Sequence, residues 1–163
     1  MAVSPQDREW FAREIHDARA SLYRLALSIT ENPHDAEDAV AEAVYKAYAK
    51  LHSLRDQEKF RSWILKITAN EAKGLIRKRE KMIFLEAAEM EKTTPGPETD
   101  RSLWQMVQTL SQDQREAVIL FYYEDLPIKE IAQIVGAAPG TVRVRLSRAR
   151  EQLRKLLEVE RDG

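Results

Sequence analysis

The stretch from Pro127 to Leu157 constrains this chain more than any other. Ile128, Ile131, Ala132 and Val135 recur at helical spacing, which predicts a short amphipathic helix. Gly136 follows, a residue able to take the left-handed conformation that ends a helix. Pro139 suits the first turn of a second helix, where its missing N–H would be unpaired anyway. Short helix, tight turn and second helix form a helix-turn-helix, the arrangement that sets a helix in a DNA groove. On a wheel of the second helix, Val142, Leu146, Ala149, Leu153 and Leu156 share one face and should pack inward. Thr141, Val144, Ser147, Arg148 and Lys155 point away, with Arg143 on the flank. Arginine pairs bidentately with guanine, discriminating by ~1–3 kcal/mol per good pair. The remaining Arg and Lys suit phosphates, which position a protein without specifying sequence. A basic run alone would read as a solvated face. The register of Pro127, Gly136, Pro139 and the apolar stripe favours DNA binding.

A net charge of −1 over 163 residues looks wrong for a nucleic-acid binder until the charge is mapped. Arg77 to Lys81 reads RKREK, and Arg143 to Lys155 holds Arg143, Arg145, Arg148, Arg150, Arg154 and Lys155 against Glu151. Acid gathers at Glu31, Asp35, Glu37, Asp38 and Glu42, and again at Glu86, Glu89, Glu91, Glu98 and Asp100. A polyanion meets the local field, and the whole-chain sum hides it.

The rest of the composition favours an all-α fold. Hydrophobic residues make up 44% and charged residues 33%, with only 5 Gly and 6 Pro, a mixture that loses little freedom on forming helix. No cysteine is present, which excludes disulfides and thiolate metal sites and fits a reducing cytoplasm. Met1 to Trp10 has no apolar core of a leader, and no apolar run approaches the ~18 residues of a membrane span, so a soluble, cytoplasmic protein is expected.

Three helices are predicted in the first half. Trp10 to Ile29 carries Phe11, Ile15, Ala18, Leu22, Leu25 and Ile29 at helical spacing, and Asn32-Pro33 breaks it. The next helix opens at Pro33 or His34 and runs to about Leu51, with Val40, Val44, Ala47 and Leu51 on one face. A polar connector, His52 to Glu58, leads to a third helix over about Lys59–Met82, with Phe60, Ile64, Ile67, Leu75 and Ile76 as its stripe. From Glu86 to Arg101 the pattern fails, and Lys92-Thr-Thr-Pro-Gly-Pro-Glu-Thr-Asp100 reads as a flexible linker. The expected layout is two small helical domains, 1–85 and 102–163, joined by a linker over 86–101, the C-terminal domain being the helix-turn-helix. That domain starts with Leu103, Trp104, Val107 and Leu110 on one face, and Ser111-Gln-Asp-Gln114 resembles a capping box.

With those residues in place, the chain resembles the extracytoplasmic-function sigma factors of the sigma-70 family. Glu130-Ile-Ala-Gln-Ile-Val-Gly136 and Gly140-Thr-Val-Arg-Val-Arg-Leu-Ser-Arg-Ala-Arg-Glu-Gln-Leu153 are similar to that family's region 4. Asp35-Ala-Glu-Asp-Ala-Val-Ala-Glu42, Phe60-Arg-Ser-Trp-Ile-Leu-Lys-Ile-Thr-Ala-Asn70 and Leu75-Ile-Arg-Lys-Arg79 are similar to its region 2. The resemblance implies a factor that brings core RNA polymerase to promoters and is not itself an enzyme. It implies that Asp35, Asp38, Glu42 and Tyr45 dock on core polymerase, through the β′ clamp helices, with the β flap as a further contact. It implies a −10 surface of Arg55, Lys59, Phe60, Arg61, Trp63, Lys66, Asn70, Lys73, Arg77, Lys78 and Arg79. Asn70 and the connector from Leu54 to Lys59 would hold a flipped base, which needs a pocket that restores stacking and hydrogen bonds. Thr141, Arg143, Val144, Ser147 and Arg148 would read the −35 element. An anti-sigma factor is a further expected partner, and no cofactor or metal is implied. For Phe60 and Trp63 the competing reading is core packing at helical spacing.

The chain departs from the family pattern in four places. Ala41 stands where Gln is usual, Gly74 replaces a frequent Asp, Ala138 replaces a capping Ser, and Val144 replaces a polar residue. Val144 is suited to a thymine methyl. Other functions remain in view. His34 with Asp35, Glu37 and Asp38 has the residue types for a metal, but their spacing does not converge on a helix. A one-component regulator with a helical sensing half would need a ligand pocket or dimer interface there. A polymerase-binding adaptor would need no Arg-rich second helix.

Overall fold

A computed structural model of the chain describes residues 3–86 and 101–162. Helix α1 (Pro5–Thr30) begins at Ser4, whose Oγ accepts the Asp7 N–H at 3.1 Å. It ends where Glu31 turns left-handed, φ 55°. Asn32 then caps α2 (Pro33–Ala49), its Oδ1 accepting the N–H groups of His34 at 2.9 Å and Asp35 at 3.1 Å. One side chain thus satisfies two of the orphan donors, and Pro33 in the first turn has no N–H to satisfy. Two 3₁₀ turns, Leu51–Ser53 and Gln57–Lys59, form the connector to α3 (Phe60–Glu86).

The core of this first unit differs from the expected one on α2. The expected inward face was Val40, Val44, Ala47 and Leu51, but the buried apolar residues are Ala36, Ala39, Ala43 and Ala47, all fully inaccessible. The physical reason is that α2 packs against both α1 and α3. Small side chains let its backbone approach both, in a core that also buries Leu22, Leu25 and Ile29 of α1 and Ile64 and Leu65 of α3. The bulkier Val40 and Val44 are displaced to the flank and half-buried. On α3 the stripe holds at Phe60 and Ile64, while Ile67, Leu75 and Ile76 are only half-buried. Two hydroxyls inside the unit bond back to their own helices, Ser28 to the Leu25 carbonyl at 2.6 Å and Thr68 to that of Ile64 at 2.8 Å.

Gly74 lies inside α3, where a Cβ would find only the tip of Arg77 at 4.0 Å. Nothing there needs a missing side chain. Gly74→Ala should therefore raise stability by about 1 kcal/mol, read as a higher urea midpoint. A lower midpoint would show that α3 requires the glycine.

The second unit is built from α4 (Arg101–Gln108), α5 (Gln112–Val118), α6 (Ile128–Val135) and α7 (Pro139–Asp162). Ser111 Oγ accepts the Gln114 N–H at 3.4 Å, but Gln114 Oε1 has no partner among the described residues, so only half of the expected capping box forms. A π-helical turn, Ile119–Tyr123, extends α5. Its extra residue shifts the face, burying Ile119 and Leu120 and leaving Tyr122 exposed. Gly136 ends α6 in the left-handed conformation, φ 71°, and the Ala137 N–H reaches back to the Ala132 carbonyl at 3.1 Å. Pro139 opens α7 three residues later. Val142, Leu146 and Ala149 are fully buried, with Leu153 and Leu156 half-buried, which is the expected inward stripe.

The fold is all-α, with no strand among the described residues. The chain divides into two units, Met1–Pro95 and Gly96–Gly163. The expected linker spans 86–101, and its residues 87–100 lie outside the described residues.

Candidate nucleic-acid interface

The outward face of α7 follows from its buried one. With Val142, Leu146 and Ala149 pinned inside, Thr141, Arg143, Val144, Ser147 and Arg148 are all exposed. Thr141 and Arg148 are seven residues apart, a length of about 10 Å along a helix, which suits a major groove about 12 Å wide. Val144 is 46% exposed, an apolar patch set among polar neighbours.

The basic residues of α7 fall into two sets. Arg145 is half-buried, 3.7 Å from Asp113 of α5. Arg150 Nε donates to the Tyr122 hydroxyl at 2.7 Å. Arg154 bonds Glu151 at 2.6 Å and Glu158 at 2.5 Å, which holds the Glu151 carboxyl below its usual range. These three guanidinium groups have partners within the unit, which revises their expected place on phosphates. Arg143 and Arg148 make no ion pair among the described residues.

In the first unit a groove of about 520 Å³ lies between α2 and α3. Asp38, Glu42 and Lys46 line it from α2, and Asn70, Glu71, Gly74, Leu75, Arg77 and Lys78 from α3. Lys46 Nζ bonds Glu71 Oε1 across it at 2.6 Å, which raises the Lys46 pKa. Tyr45, one turn along from Glu42, is 71% exposed, unusual for an aromatic without a partner surface. Arg55, Lys59, Arg61, Lys66, Asn70, Arg77 and Lys78 are exposed, and Lys73 is half-buried.

Several expected site residues are placed otherwise. Asp35 is 5% exposed, and its carboxylate faces Arg79, 2.5 Å away, so neither offers a free charge where it was expected. A buried carboxylate without such a partner would be costly. Phe60 is 2% exposed and packs edge-on against Trp10 and Phe11, with ring centroids 5.2 and 5.9 Å away. It is core. Trp63, half-buried, is tilted against Phe60 at 6.0 Å. Leu54 and Asn70, expected to share one base pocket, lie in separate hollows. Leu54 joins Trp10, Leu51, His52 and Gln57 around about 250 Å³, and Asn70 belongs to the α2–α3 groove.

One feature was missed from sequence. Phe11, Ile15, His16, Arg19 and Tyr23 of α1 and Glu37, Val40, Ala41 and Val44 of α2 line a groove of about 1180 Å³ that mixes apolar and charged side chains. The displaced valines were its signal.

Residues 15–82 match Sigma-70 region 2, and residues 100–153 match Sigma-70, region 4. RNA polymerase sigma factor SigV of Bacillus subtilis is 34% identical, over 90% of each chain. This chain is an extracytoplasmic-function sigma factor. The ECF RNA polymerase sigma factor SigW of the same organism is 28% identical, covering 95% of this sigma factor and 92% of the relative. Among solved structures, the sigma factor RpoE of Bartonella quintana superposes with a TM-score of 0.81 at 30% identity, over 91% of this chain and 97% of that one. As a sigma factor the protein works with core RNA polymerase and promoter DNA in transcription initiation. The helix-turn-helix is thus its region 4 and the α1–α3 unit its region 2. No helix among the described residues is long and apolar enough to cross a membrane.

Proposed function

We propose that the two units divide promoter recognition between them. The 1–85 domain docks on the β′ clamp helices of polymerase through Asp38, Glu42 and Tyr45, and engages the −10 element through Asn70, Arg77, Lys78 and the connector side chains Arg55 and Lys59. The 102–163 domain reads the −35 element through Thr141, Arg143, Val144, Ser147 and Arg148, beside the β flap. The observation that carries this reading is the exposed face of α7, where two arginines without ion pairs among the described residues flank an apolar residue above the buried Val142, Leu146 and Ala149. The acidic face of α2 supports the other half, because carboxylates around an exposed tyrosine suit a basic partner helix.

In this reading polymerase supplies all the chemistry and the sigma factor none, acting in the cytoplasm without cofactor or metal. The Bartonella quintana relative was solved in complex with the anti-sigma factor NepR, which supports a partner of that class here. Such a partner would cover the polymerase-docking surfaces until released.

Run-off transcription with purified core polymerase, on the protein's own upstream region, tests the assignment. Discrete transcripts that require the protein, and that Asn70→Ala weakens, are the expected outcome. Duplex binding without core binding or transcripts would overturn it in favour of a one-component regulator.

A further inference from the structure

The ion pair between Asp35 and Arg79 joins the first turn of α2 to the distal half of α3. Its two ends are unequal. The Asp35 side chain is 7% exposed and that of Arg79 46%. The Asp35 carboxylate has no capping duty, since Asn32 already binds the backbone N–H groups of that turn. Burying a carboxylate is costly without a close partner, and here the partner is Arg79. Between the groove-lining Asn70 and Arg79 lies Gly74, the weakest helix former in the described part of α3. The segment beyond that soft point carries Arg77 and Lys78, which line the α2–α3 groove.

We propose that Arg79 is a positioning residue and not a phosphate contact. With Asp35 it clasps the end of α3 to α2, and so sets the direction in which Arg77 and Lys78 meet DNA. The inference rests on the reading of distal α3 as a DNA surface. It reassigns two charges that the family resemblance places on separate interfaces. The clasp works by geometry. The intact pair is net neutral and offers DNA no free charge, so its loss misdirects neighbouring cations without removing a DNA contact.

The two roles predict opposite signs. Reconstituted holoenzyme, formed from core polymerase and the full chain, is titrated with a fluorescent promoter fragment across a KCl series. The variants are Asp35→Asn, Arg79→Gln, the double, Arg79→Lys and Lys78→Gln. As a clasp, Asp35→Asn and Arg79→Gln each weaken binding roughly five- to tenfold, and the double is no worse than either, the non-additivity expected of residues in contact. The slope of log affinity against log salt stays at the parent value, and Arg79→Lys recovers part of the loss. As a phosphate contact, Arg79→Gln would reduce the slope by about 0.7–0.9, and Asp35→Asn would leave binding unchanged or tighten it by freeing a cation. Either of those results overturns the clasp. Lys78→Gln reports on the underlying reading, because its slope falls by a similar amount only if distal α3 meets phosphates. An unchanged Lys78→Gln slope sinks that reading and the clasp with it. Helicity is checked by circular dichroism at the titration temperature. Should Asp35→Asn fail to fold, the Arg79→Gln slope decides alone.

Discussion

Phe60→Ala is expected to destabilise the N-terminal unit by about 3–5 kcal/mol, the range for deleting a buried aromatic ring. Phe60 stands at the junction of the connector and α3, and Trp10, Phe11 and Trp63 all pack on its ring. Phe11 in turn meets Tyr48 of α2, at 5.5 Å, so the aromatic cluster around Phe60 links all three helices of the unit. Alanine there removes transfer energy and leaves a cavity that rigid helices close only in part. Urea unfolding followed by tryptophan emission checks this, since Trp10 and Trp63 report directly on the cavity. A variant that melted like the parent while failing only at promoters would return Phe60 to the −10 surface.

Arg148→Ala is expected to weaken binding to a −35 duplex by about tenfold or more, the loss of one bidentate base contact. The effect should depend on sequence, and be largest where the contacted guanine is present. Arg154→Ala, only six residues further along α7, should leave binding unchanged, because that side chain already bridges Glu151 and Glu158. Fluorescence anisotropy of holoenzyme on paired promoter fragments, with and without the −35 guanines, separates the two. Equal losses for both arginines, independent of sequence, would mean a diffuse electrostatic surface and no recognition helix.

The contrast between those two arginines shows where sequence reasoning succeeds. The helix-turn-helix was legible because its determinants are local. Gly136 and Pro139 fix the turn by backbone chemistry, and the spacing of Val142, Leu146 and Ala149 follows from the helical period. Once the inward stripe is known, the outward face is known too. The occupation of Arg145 and Arg150 was not legible, because their partners Asp113 and Tyr122 lie on other elements.

In the first unit the balance shifts. Helix order and the break at Asn32-Pro33 were legible from capping and proline chemistry. The buried face of α2 was not, since a hydropathy pattern ranks valine above alanine, whereas a helix packed against two neighbours needs small residues. Asp35 sits in an acidic run that the family resemblance places on the polymerase-docking surface, yet it is buried. Its partner Arg79 sits in a basic run that reads as a phosphate surface.

By itself, then, the sequence determined the helical class, the helix-turn-helix, the outward face of α7 and the family. These rest on interactions within a few residues along the chain, or on residue order. Only the tertiary structure decided which charges remain available, which aromatics are core and which α2 face is buried. Those depend on what a distant segment brings alongside, and a carboxylate has no sign of its burial until Arg79 stands next to it.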